Sequence, residues 1–453
     1  MPEQTSIWKK EISFGRRRPQ PAAPAPPPAA AAAPNGAGRH GAVVHEADAR
    51  LVAATPTLER ERAAPAQPWW KKEVSFGRSA KPKAAPQPAQ PSRLKREVRL
   101  SLPKLPTGGS GGGRKLVGLR IGSSQLAAAV VNNNGSAELQ QLARASLAPG
   151  LVNAGEVRDP EALAEALKRF FVAYALPRRG VRLGVATNRI GVRMLEVPAV
   201  DDPRLLANAI RFRAQEVLPF ALSDTVLDHV VLGETVETEE GTQQRVLIVF
   251  AQRDLIDGYV DACKRAGLKL VGIDFEAFAL LRALANPGAA EKRAALVAVA
   301  IGHERTIFAV SDGTTCEFAR VLDWGGASVN AALSRALGIS LEAAAQVKET
   351  MGVSPVASDA AQQALQAELQ VLARELLSSL QFYQSRPGSL DIGELLLTGG
   401  GSQLAGIDDE LHRQLGVPVR LGDPLQRVTA GRKLHTPPKL GSLAIAVGLG
   451  IDV

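Results

Sequence analysis

Two stretches far apart in the chain repeat one plan: a strand ending in Ile-Gly, a short polar turn, a second strand, another turn and a third strand. The first passes through Gly118-Leu119-Arg120-Ile121-Gly122-Ser123-Ser124 and the second through Val299-Ala300-Ile301-Gly302-His303-Glu304-Arg305. Leu116 to Ile121, Leu126 to Val131 and Leu139 to Leu147 read as the first set of strands, with Asn132-Asn133-Asn134-Gly135 as a turn. Ala295 to Ile301, Thr306 to Val310 and Thr315 to Val321 read as the second, turning at Ser311-Asp312-Gly313. Strands followed twice by helical patterns predict an α/β fold built from duplicated halves.

Helical spacing fills the gaps. Asp159-Pro160 opens a helix to about Tyr174, with Leu163, Leu167, Phe170 and Phe171 on one face. Val181 to Ala186 and Gly191 to Val197 read as strands, 203–218 as helix, and Val226 to Gly233 and Arg245 to Ala251 as strands around a charged turn at 236–244. Asp254 to Ala266 and Glu276 to Leu284 read as helices flanking a strand at Leu268 to Asp274. After a Pro/Gly break at 287–293, the second half adds helices at about 326–337, 341–350 and 359–384. It closes with strand Glu394 to Thr398, Gly399-Gly400-Gly401, a helix over 403–415 and an apolar segment at 442–449.

Residues 1–112 hold 17 of the 30 prolines and carry a net charge of +11, whereas the remainder carries −2. Such a Pro/Ala-rich stretch cannot bury enough surface to offset its ordering entropy, so a disordered basic tail is predicted, ending in the glycine-rich hinge at 108–113. Within it Trp8-Lys9-Lys10-Glu11-Ile12-Ser13-Phe14-Gly15-Arg16 returns as Trp70-Lys71-Lys72-Glu73-Val74-Ser75-Phe76-Gly77-Arg78, and more weakly at Leu94 to Leu100. Trp8, Phe14, Trp70 and Phe76 read as anchors of short, multivalent binding motifs whose partner the sequence does not name. Local duplication without a partner is the plainer alternative. Because the positive charge belongs to the tail, a nucleic-acid-binding core is not expected. Cys263 and Cys316 read as core thiols, no Cys/His metal spacing occurs, and neither a signal peptide nor a membrane span is expected.

Residues 115–453 resemble the type IV pilus assembly PilM family, part of the actin-like ATPase superfamily that includes FtsA. The resemblance rests on Ile121-Gly122-Ser123-Ser124, Val197-Pro198 through Glu216-Val217-Leu218-Pro219-Phe220, and Asp274-Phe275-Glu276-Ala277-Phe278-Ala279-Leu280. Ile301-Gly302, Gly325-Gly326, Lys348 and Leu397-Thr398-Gly399-Gly400-Gly401-Ser402 follow in order. It implies an actin-like, ribonuclease H-like fold: a first domain over 113–197 and 274–293, a helix-rich inserted subdomain over 198–273, and a second domain over 294–453. It further implies a cytoplasmic scaffold at the inner face of the cell membrane, bound peripherally. This scaffold would hold the N-terminal peptide of the inner-membrane protein PilN in a groove between the first domain and the insert, and would contact the pilus motor ATPases. Homo-oligomerisation stays open.

The superfamily clamps ATP between its halves, and the resemblance carries that site over residue by residue. Gly122, Ser123 and Ser124 fall on one phosphate turn and Gly302 begins the other. Gly325, Gly326, Gly399, Gly400, Gly401, Ser402 and Lys348 fall near adenosine. The family's two metal-holding Asp positions are Arg120 and Ala300 here, its Lys is Ala127, and its adenosine-facing Glu is Ala345. Arg120 reads either as a phosphate contact that replaces the Mg²⁺ charge or as a core ion pair. Hydrolysis, nucleotide binding without turnover and an empty scaffold all remain open, with a non-enzymatic scaffold favoured. The rivals are a metal-dependent ATPase using Asp274, Asp312 or Asp323, and a membrane-surface or nucleic-acid adaptor acting through the tail. Asp312 is more simply a turn residue and Asp274 a helix cap.

Overall fold

The computed structural model describes residues 114–452 apart from 239–240, 286–293, 355, 357–358, 433, 436 and 438. The expected tail and its Trp8, Phe14, Trp70 and Phe76 motifs lie outside the described residues.

β1 (Lys115–Ile121), β2 (Gln125–Asn134) and β3 (Ser136–Ser146) form an antiparallel meander. The short pair β4 (Val152–Asn153) and β5 (Glu156–Val157) leads into α1 (Pro160–Ala173). Asp159 caps α1 by accepting from the Glu161 and Ala162 amides at 3.0 and 2.9 Å, and Pro160 supplies the preset first-turn φ. Leu163, Leu167, Phe170 and Phe171 on its inner face are fully buried, each worth roughly 1.5–3 kcal/mol by area removed from water. β6 (Arg179–Val185) then pairs parallel to β1.

β7 (Ile190–Pro198), α2 (Pro203–Val217), β8 (Thr225–Thr238) and β9 (Gly241–Gln252) leave this sheet and make their own three-stranded sheet in the order β7-β9-β8. One face of α2 places Ile210 and Ala214 on Leu195, Val197, Val246, Ile248 and Phe250. α3 (Arg253–Arg265), β10 (Lys269–Phe275) and α4 (Glu276–Leu284) return to the first sheet, where β10 pairs parallel to β6.

These elements redraw the expected insert. It is sheet-rich, it begins at β7 rather than at 198, and α3 and β10 do not belong to it. Leu255, Ile256, Tyr259 and Ile273 are buried in the main core, which fixes α3 and β10 there. The expected charged turn at 236–244 is mostly strand, because the antiparallel ladder continues to Thr238↔Gly241.

The second sheet comprises β11 (Ala294–Ile301), β12 (Thr306–Ser311), β13 (Cys316–Leu322), β14 (Asp391–Thr398) and β15 (Val419–Leu421). α5 (Gly326–Leu337), α6 (Leu341–Thr350) and α7 (Ala360–Gln384) separate β13 from β14, and α8 (Ile407–Leu415) precedes β15. Its order, β13-β12-β11-β14-β15, matches β3-β2-β1-β6-β10 in the first: an antiparallel meander whose first strand takes one parallel neighbour, which in turn takes a second.

The chain end departs from the expected second domain over 294–453. β16 (Thr429–Ala430) pairs with β3, and α9 (Ala444–Gly450) lies on β1 and β2 of the first sheet. Leu443, Ala446 and Val447 cover Ala127, Ala129 and Val131. The approach is so close that a Cβ on Gly118 would lie 2.6 Å from the Gly450 nitrogen. Arg182 secures the end of α9 by donating to the Ile451 carbonyl at 2.7 Å and to Asp452 at 2.9 Å. No helix among the described residues is long and apolar enough to cross a membrane.

Candidate functional site

The two sheets bring two hairpins of equal length to one cleft. Ile121 pairs with Leu126 and Gly122 donates to the Gln125 carbonyl at 2.9 Å, which leaves Ser123 and Ser124 at the tip. Ile301 pairs with Thr306 and Gly302 donates to the Arg305 carbonyl at 2.9 Å, which leaves His303 and Glu304 at the tip. Glycine is required at Gly302, where a Cβ would lie 2.7 Å from the Arg305 carbonyl.

Arg120 ends β1 just behind the first tip. Its Nε donates to Glu276 Oε2 at 2.9 Å, and the two side chains are 12% and 4% exposed. The rest of the guanidinium lies between the hairpins: a Cβ on Gly302 would lie 3.4 Å from Nη2, and one on Gly122 4.0 Å from Nη1. A cavity of about 160 Å³ contains both tips, Arg120, Arg305, Gly326, Gly400 and Gly401. Arg305 has no hydrogen-bond partner for Nε or Nη1 among the described residues, although Nη1 lies 3.0 Å from Asp323 Oδ1.

An adjoining cavity of about 110 Å³ shares Gly326, Gly400 and Gly401 and is walled by Trp324, Val329, Leu369, Leu404 and Ile407. Lys348 and Glu349 line its polar side. Lys348 Nζ donates to the Gly326 carbonyl at 2.9 Å, and burial pulls its ammonium below the ordinary lysine value. Both cavities fall below the ~300–1,000 Å³ of common small-molecule sites. Glu304 Oε2 accepts from the Ala154 amide at 2.8 Å, joining the second hairpin to the β4–β5 turn across the cleft.

Most residues expected at the site converge here: Arg120, Gly122, Ser123, Ser124, Gly302, Gly326, Gly400 and Gly401 at the first cavity, and Lys348 at the second. Three line neither cavity. Gly325 packs on the His303 carbonyl, Gly399 takes φ +92° against Ile301, and buried Ser402 donates to the Gly399 carbonyl at 2.9 Å. They shape the turns from behind. The amides of Gly326 and Ala327 are spent on the Gly302 and His303 carbonyls at 3.0 and 2.7 Å, so the α5 start offers no free anion donors there. Ala127 lies under α9, away from the cleft.

The invoked acids have other partners. Asp312 accepts from the Thr314 and Thr315 amides as a turn residue. Asp323 is exposed and accepts from Asn188 Nδ2 at 3.2 Å. Asp274 does not cap α4, whose N-cap is Phe275. It is fully buried beside Arg282, which also donates to the Gly448 carbonyl at 3.0 Å. Burial draws Arg282 down to about 10 against the pull of Asp274, which leaves it charged at neutral pH.

Glu276, Arg305 and Glu304 escaped the sequence reading as site residues. Arg120 did carry a signal, since it is a lone charge in an apolar run. The peptide groove expected between the first sheet and the insert has no lining fixed by these contacts. A groove of about 700 Å³ borders the insert between Phe220 and Phe250 on one wall and Phe318 of β13, Trp324 just after it and Phe382 of α7 on the other.

The donor set does not suit a divalent cation. A cation about 4 Å from the Arg120 guanidinium would be repelled by about 4 kcal/mol per unit charge at an effective dielectric of about 20, relieved only in part by Glu276. Among the described residues no three His, Cys, Asp or Glu side chains gather as a metal-ligand group.

A family model described as "Type IV pilus assembly protein PilM" matches residues 118–452. A solved PilM–PilN type IV pilus biogenesis complex is similar with TM-score 0.66 and 29% identity, over 74% of this chain and 97% of that chain. Ethanolamine utilization protein EutJ from Carboxydothermus hydrogenoformans is similar with TM-score 0.43 and 14% identity, over 79% and 93%. MreB5 of Spiroplasma citri bound to ADP gives 0.44 and 13%, over 74% and 94%.

Proposed function

Since the chain belongs to the type IV pilus assembly protein PilM family, we propose that it is a cytoplasmic scaffold that grips the N-terminal peptide of a PilN-type inner-membrane protein. In this reading it couples the membrane complex to the pilus motors without hydrolysing ATP. The carrying observation is the likeness to the PilM–PilN complex, which spans nearly the whole of that chain. The insert supports the reading. Its sheet has its own core, yet α2 leaves Leu205 58% and Phe212 65% exposed, seven residues and so two turns apart on one face.

The matching strand orders of the two sheets support descent of the fold from one duplicated unit. The reading without turnover is supported by the strand ends, where Arg120 and Ala300 offer no carboxylate to hold a metal and its water. Co-purification tests the scaffold role. The chain is expected to be retained by membranes carrying the intact PilN-type protein and lost when that protein's cytoplasmic N-terminal segment is deleted. Retention after the deletion would defeat the reading.

A further inference from the structure

Three segments of the sequence share one alternating pattern. Trp8, Lys10, Ile12 and Phe14 alternate with Lys9, Glu11 and Ser13, and Trp70, Lys72, Val74 and Phe76 with Lys71, Glu73 and Ser75. Leu94, Arg96, Val98 and Leu100 alternate with Lys95, Glu97 and Arg99 in the same way. A period of two suits an extended segment that shows its two faces to two walls, not a helix lying on a membrane. Glu stands at the centre of every copy, a charge that an anionic lipid surface repels. The family model begins at residue 118, so all three copies lie outside the part it matches.

The groove of about 700 Å³ beside the insert has walls of matching chemistry. It is bordered by two outer strands, β7 of the insert sheet and β13 of the second sheet. On the insert wall the Phe250 ring lies where a Cβ on Gly191 would be, and on the other wall Phe318 stacks with Phe382, which is 57% exposed. Most charges of the lining are paired: Arg189 with Glu156 and Asp254, Arg320 with Glu375, and Asp323 with Arg305. Arg193 has no carboxylate partner among the described residues. It donates to the Val192 carbonyl at 2.9 Å, and its guanidinium carbon lies 6.0 Å from the centre of the Phe250 ring.

We propose that this groove takes the repeated segment of a second copy of the chain in extended form. The central Glu faces Arg193 on the insert wall, and the alternate apolar positions face Phe318 and Phe382 on the other. Number and reach favour a second copy. Each chain carries three segments for this one groove, so at least two are left over for other copies. The 35 residues between Arg78 and Arg114 span up to about 115 Å, enough to reach a neighbour. Linked segments gather several scaffolds through effective concentration, without high affinity in any single contact.

The test is sedimentation velocity of the full chain over a wide concentration range, with and without a synthetic peptide of residues 68–80. The parent chain is expected to associate as its concentration rises, and excess peptide to disperse it. A peptide carrying Trp70→Ser and Phe76→Ser should not. Arg193→Glu should weaken binding of the labelled peptide, read by fluorescence anisotropy, by about tenfold or more. A peptide with Glu73→Arg should recover most of that loss, while binding the parent chain worse than the unaltered peptide does. Phe382→Ser, at an exposed position, should weaken binding separately. A parent chain that stays monomeric would overturn the proposal, whether the peptide then binds nothing or binds phosphatidylglycerol vesicles instead. Association that survives both Arg193→Glu and Phe382→Ser would overturn it too. Displacement of the peptide by the PilN-type N-terminal segment would give the groove to that partner, overturning the proposal and leaving the scaffold role standing.

Discussion

The two hairpins at the cleft share length, register and a glycine before the tip, yet they are held from behind in opposite ways. The first rests on charge: Arg120 reaches Glu276, and the same face of that sheet buries Arg282 beside Asp274 and lays Arg182 along the end of α9. The second rests on packing: Ala300, at the position equivalent to Arg120, is 1% exposed in the continuous hydrophobic core. A backbone plan can therefore persist while its chemistry is replaced. Strand pairing needs only main-chain hydrogen bonds and a glycine at the close contact, whereas metal and phosphate chemistry depends on single side chains.

Changes that break the ionic support of the first hairpin should cost most. Arg282→Leu strands Asp274 in the core and removes the bond to the Gly448 carbonyl, so chemical denaturation should show a loss of about 3–5 kcal/mol. Arg120→Met leaves Glu276 unpaired nearer the cleft and should cost about 2–3 kcal/mol. The double change with Glu276→Met should recover most of that loss, because an apolar pair avoids the desolvation of both charges. Failure of the double variant to recover would mean that the pair does more than neutralise itself.

Glu304→Ala sharpens the comparison at the tips. It should cost only about 1 kcal/mol or less, yet hydrogen exchange at the Ala154 amide should quicken while the Gly122 amide stays protected. The smallest expected effect lies in the thiols. Cys263 and Cys316 are both buried, one in each half, and burial pushes the Cys263 thiol up to about 12. Neither should react with a disulfide reagent at about pH 8 until the protein unfolds. Because the folded value is raised above the ordinary 9.0, the thiol's contribution is complete below pH 9 and declines as pH rises toward 12.

Much of this was legible in the residues. Ile121-Gly122 and Ile301-Gly302 marked both hairpins, and the departures at Arg120 and Ala300 were visible as a charge and a methyl at matched positions. The partner of Arg120 was not, since Glu276 lies 156 residues away and only the packing of α4 joins them. The return of the chain end to the first sheet was hidden for a related reason. Two residues of β16 pairing near Glu138 leave no periodicity, and α9 is apolar all round because it is buried on every side. The insert read as helix-rich because α2 has a strong helical pattern, while the sequence over 233–245 is a polar run without apolar alternation.

The most direct measurement is calorimetric titration of the full chain with a synthetic peptide of the PilN-type partner's cytoplasmic N-terminus. Beside the parent chain, the paired variants are Arg120→Met/Glu276→Met and Phe212→Ser. The account predicts saturable one-to-one binding by the parent, unchanged affinity in the cleft variant and weakened affinity in the variant of the exposed α2 face. No binding by the parent chain, or equal loss in both variants, would contradict it.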